Sequence, residues 1–196
     1  AEIFTYDRTE VKFVSSLTQE FDLTEDNSFQ TIAFLANTLE YAPVSISFDQ
    51  PVSKAATIVL KGAEGENFVL PAEKYGKNGF GKTVATGQYT LVATLPTGYE
   101  LAEEAPVITV VAGRNNNYRI GVISKVDLLT ALNKQADITK TAHYFNASAD
   151  KKEAYDQALQ AAQAALMNKV SQEQVNQAVA SLEAASQALD GKDSNV

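Results

Sequence analysis

Several stretches of this chain carry residue types that could do chemistry. Gly76-Lys-Asn-Gly-Phe-Gly81-Lys82-Thr83 satisfies the phosphate-binding expression G-x-x-x-x-G-K-[ST] letter for letter. Such a loop holds phosphate only when a strand precedes it and a helix starts directly after it, so that unpaired helix amides face the anion. Here Val84-Ala-Thr-Gly87 follows, and then another alternating run; the stretch is therefore expected to be a glycine-rich hairpin loop. His143 is the single histidine, and there is no cysteine. Zinc would need further ligands of those types, and a Ser-His-Asp site would need a serine on a sharp turn beside an oxyanion hole. His143 is expected on a surface loop. Glu103 and Glu104 are adjacent, whereas a glycosidase opposes two carboxylates across the scissile bond. They read as solvated charge ahead of Ala105-Pro106. The acidic turn at Asp22, Glu25, Asp26 and Asn27 lacks the spacing and the glycine of an EF-hand. No catalytic residue, metal ligand or cofactor-binding residue is assigned, and the segment itself reads as non-enzymatic.

Ligand binding without chemistry is a separate question. Sugar sites on β-sandwiches use exposed aromatic platforms with polar neighbours. The chain has no tryptophan, but Tyr41, Tyr75, Phe80 and Tyr99 fall in or near predicted loops. Tyr75, Phe80 and Tyr99 are the candidate ligand contacts, although singly exposed aromatics are ordinary on any surface. Leu95-Pro-Thr-Gly98 lacks the residue that a sortase signal carries between proline and threonine, and no apolar tail follows it. Asn146-Ala-Ser148 fits a glycosylation acceptor, yet Ser148 is also well placed to cap a helix.

Charge narrows the partners. Residues 1–124 carry 9 Lys and Arg against 15 Asp and Glu, and the remainder 7 against 9, so both parts are acidic. Nucleic acid needs a positive face, and none is present. No run is long and apolar enough to span a bilayer. No charged-then-apolar signal segment opens the sequence, which suggests a piece that starts mid-protein or after processing. The lack of cysteine is compatible with a bacterial surface protein as well as with a cytoplasmic one.

Two periodicities divide the chain. Val44, Ile46 and Phe48 alternate with Ser45, Ser47 and Asp49; Tyr89, Leu91, Ala93 and Leu95 alternate with their neighbours; so do Tyr118, Ile120 and Val122. This period of two, broken by turns at Asp49-Gln50-Pro51, Gly62 to Gly65, Pro96-Thr97-Gly98 and Gly113 to Asn117, predicts an antiparallel β-sandwich of seven or eight strands. Val11 to Ser15 has strand composition as well. From Ser124 the period becomes helical. Ser124 is a candidate N-cap with Asp127 behind it, and Leu128, Leu129, Leu132 and Ala136 form one stripe to about Lys140. A second helix from Ser148 or Asp150 buries Ala154, Tyr155, Ala158, Leu159, Ala162, Ala165 and Leu166. Ser171 and Gln174 form a capping box for a third, with Val175, Ala178, Val179, Leu182, Ala185 and Leu189 inward and Gly191 as its stop. The fold class is α+β: a β-sandwich over 1–123, an alanine-rich antiparallel three-helix bundle over 124–191, and a flexible tail over 192–196.

Two resemblances follow from these residues. Gly87-Gln-Tyr-Thr-Leu-Val-Ala-Thr-Leu-Pro-Thr-Gly-Tyr99, with Val107 to Val111 and Gly113 behind it, resembles the collagen-adhesin B-type and prealbumin-like modules of bacterial surface proteins. Many of those carry a lysine–asparagine isopeptide bond promoted by a glutamate shortly before the proline. Here that neighbourhood is Val92, Ala93, Thr94 and Leu95, so no isopeptide bond is expected despite Asn115 to Asn117. Tyr144-x-x-Ala147-Ser148, Lys152-x-Ala154-Tyr155-x-x-Ala158, Leu166-x-Asn168, Val175-x-x-Ala178, Leu182-x-x-Ala185 and Leu189-x-Gly191 resemble the FIVAR family of small helical modules. The resemblance implies an extracellular setting at the Gram-positive cell wall, with other domains of the same chain as partners and a monomeric state. It implies a non-catalytic accessory or spacer role of the kind found beside glycosidases, proteases and adhesins alike, a cell-envelope protease or glycosidase being one parent such company suggests. The alternative is an adhesin module that binds a host protein or glycan through sandwich loops. No cofactor is expected.

Overall fold

The computed structural model describes residues 10–13, 36–52, 55–72 and 79–192. Strands β1 (Glu10–Phe13) and β2 (Ala36–Leu39) form an antiparallel pair. The strand expected at Val11 to Ser15 is thus seen as far as Phe13, while the acidic turn at Asp22 to Asn27 lies outside the described residues. There follow β3 (Tyr41–Phe48), β4 (Thr57–Gly62), β5 (Asn67–Leu70), β6 (Gly79–Ala85), β7 (Gly87–Thr94), β8 (Tyr99–Leu101), β9 (Val107–Val110), β10 (Asn116–Ile120) and β11 (Val122–Ser124). Seven of these make the two sheets of a sandwich, ordered β10-β3-β6 and β5-β4-β7-β9, while β8 and β11 pair separately. The class is α+β, as the two periodicities predict.

The alternation does what it should. Along β3, Ala42, Val44, Ile46 and Phe48 are buried, and Ile58 and Leu60 of β4, Tyr89 and Leu91 of β7, and Ile108 and Val110 of β9 supply the opposing core. Each pair of residues thereby sends one side chain inward and the next outward. The two sheets are joined at one edge by an Ala72–Phe80 bridge, supported by the Gly81 N–H donating to the Pro71 carbonyl at 3.0 Å.

The described chain divides into two compact units. One takes its residues from 1–47, 58–92 and 105–118; the other from 48–57, 93–104 and 119–196. The second unit contains the β8–β11 ribbon and helices α1 (Val126–Ile138), α2 (Ala142–Phe145), α3 (Ala149–Met167) and α4 (Gln172–Gln187). Its core is Ile123, Leu128, Ala131, Tyr155, Ala162, Ala165, Val175, Leu182 and Leu189. Three long helices form the bundle, and the unexpected α2 is a single turn between the first two.

The ends of these helices differ from the sequence expectation in three places. Ser124 is not a cap: it ends β11, and the first residue before α1 is Lys125, with no side-chain cap. The inward stripe of α1 is Leu128, Ala131 and Gln135 rather than one ending on Ala136, which is exposed. Gly191 does not stop α4, which ends at Gln187 with Ala188 in helical conformation. Ser171 and Gln174 do form the reciprocal capping box, each side chain taking the other's backbone N–H.

Candidate functional site

Two of the three candidate ligand contacts, Phe80 and Tyr99, are among the described residues. Tyr75 lies outside the described residues. Phe80 is 4% exposed on β6, which corrects its placement on an open loop: Gly79 to Thr83 pair with β3, and alternation turns Phe80 inward. The same strand ends the hairpin-loop reading of the glycine-rich stretch from Gly79 onward. Tyr99 is half-buried at the start of β8, with its hydroxyl donating to the Pro51 carbonyl at 3.4 Å. It pins a loop. Phe80 belongs to one compact unit and Tyr99 to the other. Tyr41 is half-buried on β3, and Glu103 and Glu104 are exposed in the turn after β8.

The best-developed polar constellation is one that sequence reasoning missed. The Lys125 side chain is 5% exposed, and its ammonium donates to the Asn168 carbonyl at 2.8 Å and to the Leu166 carbonyl at 3.2 Å. These carbonyls sit at the C-terminus of α3, where unpaired acceptors and the helix dipole both favour a cation. Glu100 Oε1 lies 3.0 Å from the same nitrogen. It is out of alignment for a hydrogen bond, so that contact is ionic. Beside it, Gln172 reaches back to β11: its carbonyl oxygen accepts from the Ser124 N–H at 2.7 Å, and its amide donates to the Ser124 carbonyl at 3.0 Å. One glutamine thus pairs with a strand residue as another strand would. The tight turn at Gly98, at φ +89°, brings its Cα within reach of Val126 and Leu129, and the Lys125 N–H donates to its carbonyl at 2.6 Å.

The other end of the helical unit is tied differently. The Gly191 N–H donates to the His143 carbonyl at 3.2 Å, His143 Nδ1 lies 3.1 Å from the Gly191 carbonyl, and Asn146 donates to the Lys192 carbonyl at 2.8 Å. Asp190 accepts from the Ser148 N–H and hydroxyl at 2.8 and 2.9 Å. Those two bonds hold the Asp190 carboxyl below its ordinary pKa, the backbone N–H contributing most. The Asp150 carboxyl is lowered as well, chiefly by the Ser148 hydroxyl; one proton cannot serve both acids at once, and the 2.9 Å geometry assigns it to Asp190. His143 is exposed but lies in α2 rather than on a loop, and its carbonyl and ring both meet Gly191. The position requires glycine, because a Cβ at 191 would come within 2.5 Å of the Ala142 carbonyl oxygen and 2.8 Å of the Ala147 nitrogen.

Between these ends the polar groups are also spent on structure. Tyr155, fully buried, donates to Gln135 Oε1 at 2.7 Å, and Gln135 donates to the Ala131 carbonyl at 2.9 Å. Tyr144 donates to Asp156 at 2.8 Å; this bond comes first, ahead of burial, in raising its phenol pKa. The Lys152 ammonium stands 4.6 Å from the Tyr144 ring and 5.6 Å from that of Phe145, which is 61% exposed. In the sandwich, Asn116 is buried and bonded entirely to backbone: it accepts from the Val111 N–H and donates to the carbonyls of Pro43, Val111 and Arg114. Among the described residues no three metal-ligating side chains converge, and no helix is long and apolar enough to cross a membrane.

The described residues form several surface depressions, one of them, of about 430 Å³, beside Lys61, Tyr89 and Val107. An open groove of about 470 Å³ between α3 and α4 is lined by alanines 161, 164, 165 and 178 with Asn168 and Gln174, and one of about 360 Å³ on the sandwich is lined by Ser45, Lys82, Thr83, Asn115 and Asn117.

Comparison with known proteins adds the following. Among curated proteins none matches the chain. Of the solved structures, the Bacillus anthracis TIE protein aligns at 14% identity and TM-score 0.33, over 46% of this chain and 20% of that one. The CBM51-2 and INT domains of Clostridium perfringens ZmpB align at 15% identity and TM-score 0.34, over 89% of this chain and 40% of theirs. The same domains with CBM51-2 in complex with GlcNAc align at 16% and 0.33, over 94% and 43%. The chain thus spans less than half the length of each, and likeness at these scores is too loose to carry a ligand across. A sharper match covers the part whose two ends are pinned as described: residues 124–190 match the FIVAR domain family.

Proposed function

We propose that this segment is a non-catalytic accessory or spacer portion of a larger extracellular protein at the Gram-positive cell wall, which sets the distance and direction between domains of its own chain. The parent fits a cell-envelope hydrolase, and the segment acts as a monomer. The observation that carries the reading is the way the helical unit is pinned. The chain comes into α1 at the Lys125 clamp, which grips the C-terminal carbonyls of α3. It leaves at Asp190 to Lys192, tied to the residues just before α3. Entrance and exit are therefore separated by the length of α3, whose 19 residues rise about 28 Å at 1.5 Å each. A module that binds a ligand does not require this, whereas one that transmits position does.

The test uses the absence of native cysteine. Spin labels on Asp127→Cys and Lys192→Cys should give one narrow distance distribution longer than 20 Å, on the order of the α3 length. A broad distribution, or hydrolase activity in the purified chain, would sink the spacer reading. Saturable binding on a glycan or matrix-protein array would favour the adhesin alternative.

A further inference from the structure

The strand β3 and the strand β10 are neighbours in one sheet, and their contacts advance in step. Asn116 donates to the Pro43 carbonyl at 3.1 Å and the Ser47 hydroxyl to the Tyr118 carbonyl at 3.3 Å. The Asp49 N–H donates to the Ile120 carbonyl at 3.0 Å, and the Val122 N–H to Asp49 Oδ1 at 2.8 Å. Residue numbers rise together on both strands, so the two run parallel. On its other side β3 is antiparallel to β6.

Parallel neighbours have a mechanical consequence. Tension along the chain reaches the sandwich at the start of β3 and leaves it at the end of β10, and in a parallel pair those points lie at opposite ends. The strands are then pulled lengthwise past each other, and every cross-strand bond is loaded at once. Were they antiparallel, the same tension would open the bonds one at a time from one end. Two side-chain bonds, from Asn116 and Ser47, supplement the backbone here. Tyr118 and Asn116 also close the outer edge of β9: the Tyr118 hydroxyl accepts from the Thr109 N–H at 3.1 Å and donates to its carbonyl, and Asn116 takes both polar groups of Val111. Residues that bear the load thus also seal the edge at which another strand could insert.

We infer that the β3–β10 pair is a shear clamp that lets the sandwich bear tension along the chain. The biological setting of this inference rests on the spacer reading; the clamp itself rests only on strand direction. Optical-trap measurements on the full chain would compare two tether pairs built on exposed positions. Glu40→Cys with Arg119→Cys loads the pair lengthwise, and Glu40→Cys with Asn115→Cys peels it from one end. Forced unfolding is governed by the unfolding rate, so at equal force the lengthwise pair should unfold at least about tenfold more slowly. Equal rates, or faster lengthwise unfolding, would overturn the clamp. Asn116→Ala removes four bonds and risks the fold, so Ser47→Ala is the second probe. It should speed unfolding in the lengthwise tether more than in the peeled one, and an equal effect in both counts against the clamp. The spin-label distances read the helical unit alone, so the clamp and the spacer reading fail on different measurements.

Discussion

Gln135 shows what a residue can hide from a sequence reading. It sits on the inward stripe of α1, where an apolar side chain is the expectation, and it is buried because Tyr155 needs an acceptor. A buried phenol without one would carry a desolvation cost of about 1–3 kcal/mol. Tyr155→Phe should therefore destabilise the helical unit by roughly 1–3 kcal/mol, because it orphans the Gln135 oxygen. Gln135→Leu combined with Tyr155→Phe should recover part of that loss in denaturant titrations, since removing both partners leaves neither unsatisfied. Additive losses would contradict the pairing. Asp190 supports a second prediction, on pH. Its folded pKa lies below the ordinary value of 3.8 because Ser148 donates to the charged form. The contribution is thus fully present above the ordinary carboxylate range and is lost as the pH falls through the lowered folded value. Asp190→Asn should flatten the acid limb of the stability profile on that side while leaving the alkaline limb alone.

At the scale of elements, what could be read from sequence was whatever depends on nearest neighbours along the chain. The alternation of β3 and β7, the helical stripes of α3 (apart from Ala154, which is exposed) and α4, and the Ser171–Gln174 box all follow from spacing of three, four or two. The start of α1 was misplaced: Ser124 has the residue type of a cap, but it lies opposite Tyr99 in the β8–β11 ribbon, so α1 begins only after Lys125. The Ser124 backbone groups are paired by Gln172, 48 residues away. Phe80 was misplaced for a related reason: glycines on both sides signal a turn locally, and only pairing with β3 makes them a strand. These origins predict different mutational outcomes. Ser171→Ala should cost about 1 kcal/mol in thermal unfolding, the usual worth of an N-cap. Ser124→Ala should cost little, because no side-chain cap is lost. Gln172→Ala should cost more than Ser124→Ala, in the range of about 1–3 kcal/mol, by leaving two Ser124 backbone groups unpaired.

The whole molecule is organised less linearly than its periodicities. The period changes at Ser124, yet the compact unit that holds the helices also takes residues 48–57, 93–104 and 119–123. The physical ties are specific: Ile123 lies in the helical core, Glu100 meets Lys125, and the Gly98 turn rests on Val126 and Leu129. No pattern in one sequence reports them, since each joins segments that are unremarkable by themselves. A chain cut after Ser124 should therefore expose Ile123 and leave Glu100 without its cation, loosening the β8–β11 ribbon. Local opening of such a ribbon is read by hydrogen exchange. In the truncated chain, amides of 99–101 and 122–124 should exchange at least about tenfold faster than in the full chain, a decade corresponding to 1.36 kcal/mol of local stability. Amides of β3, β4 and β7 that belong to the other unit should change far less. Uniform acceleration across both groups would mean that the cut had simply destabilised the sandwich, and unchanged protection of 122–124 would mean that the ribbon does not depend on the helices.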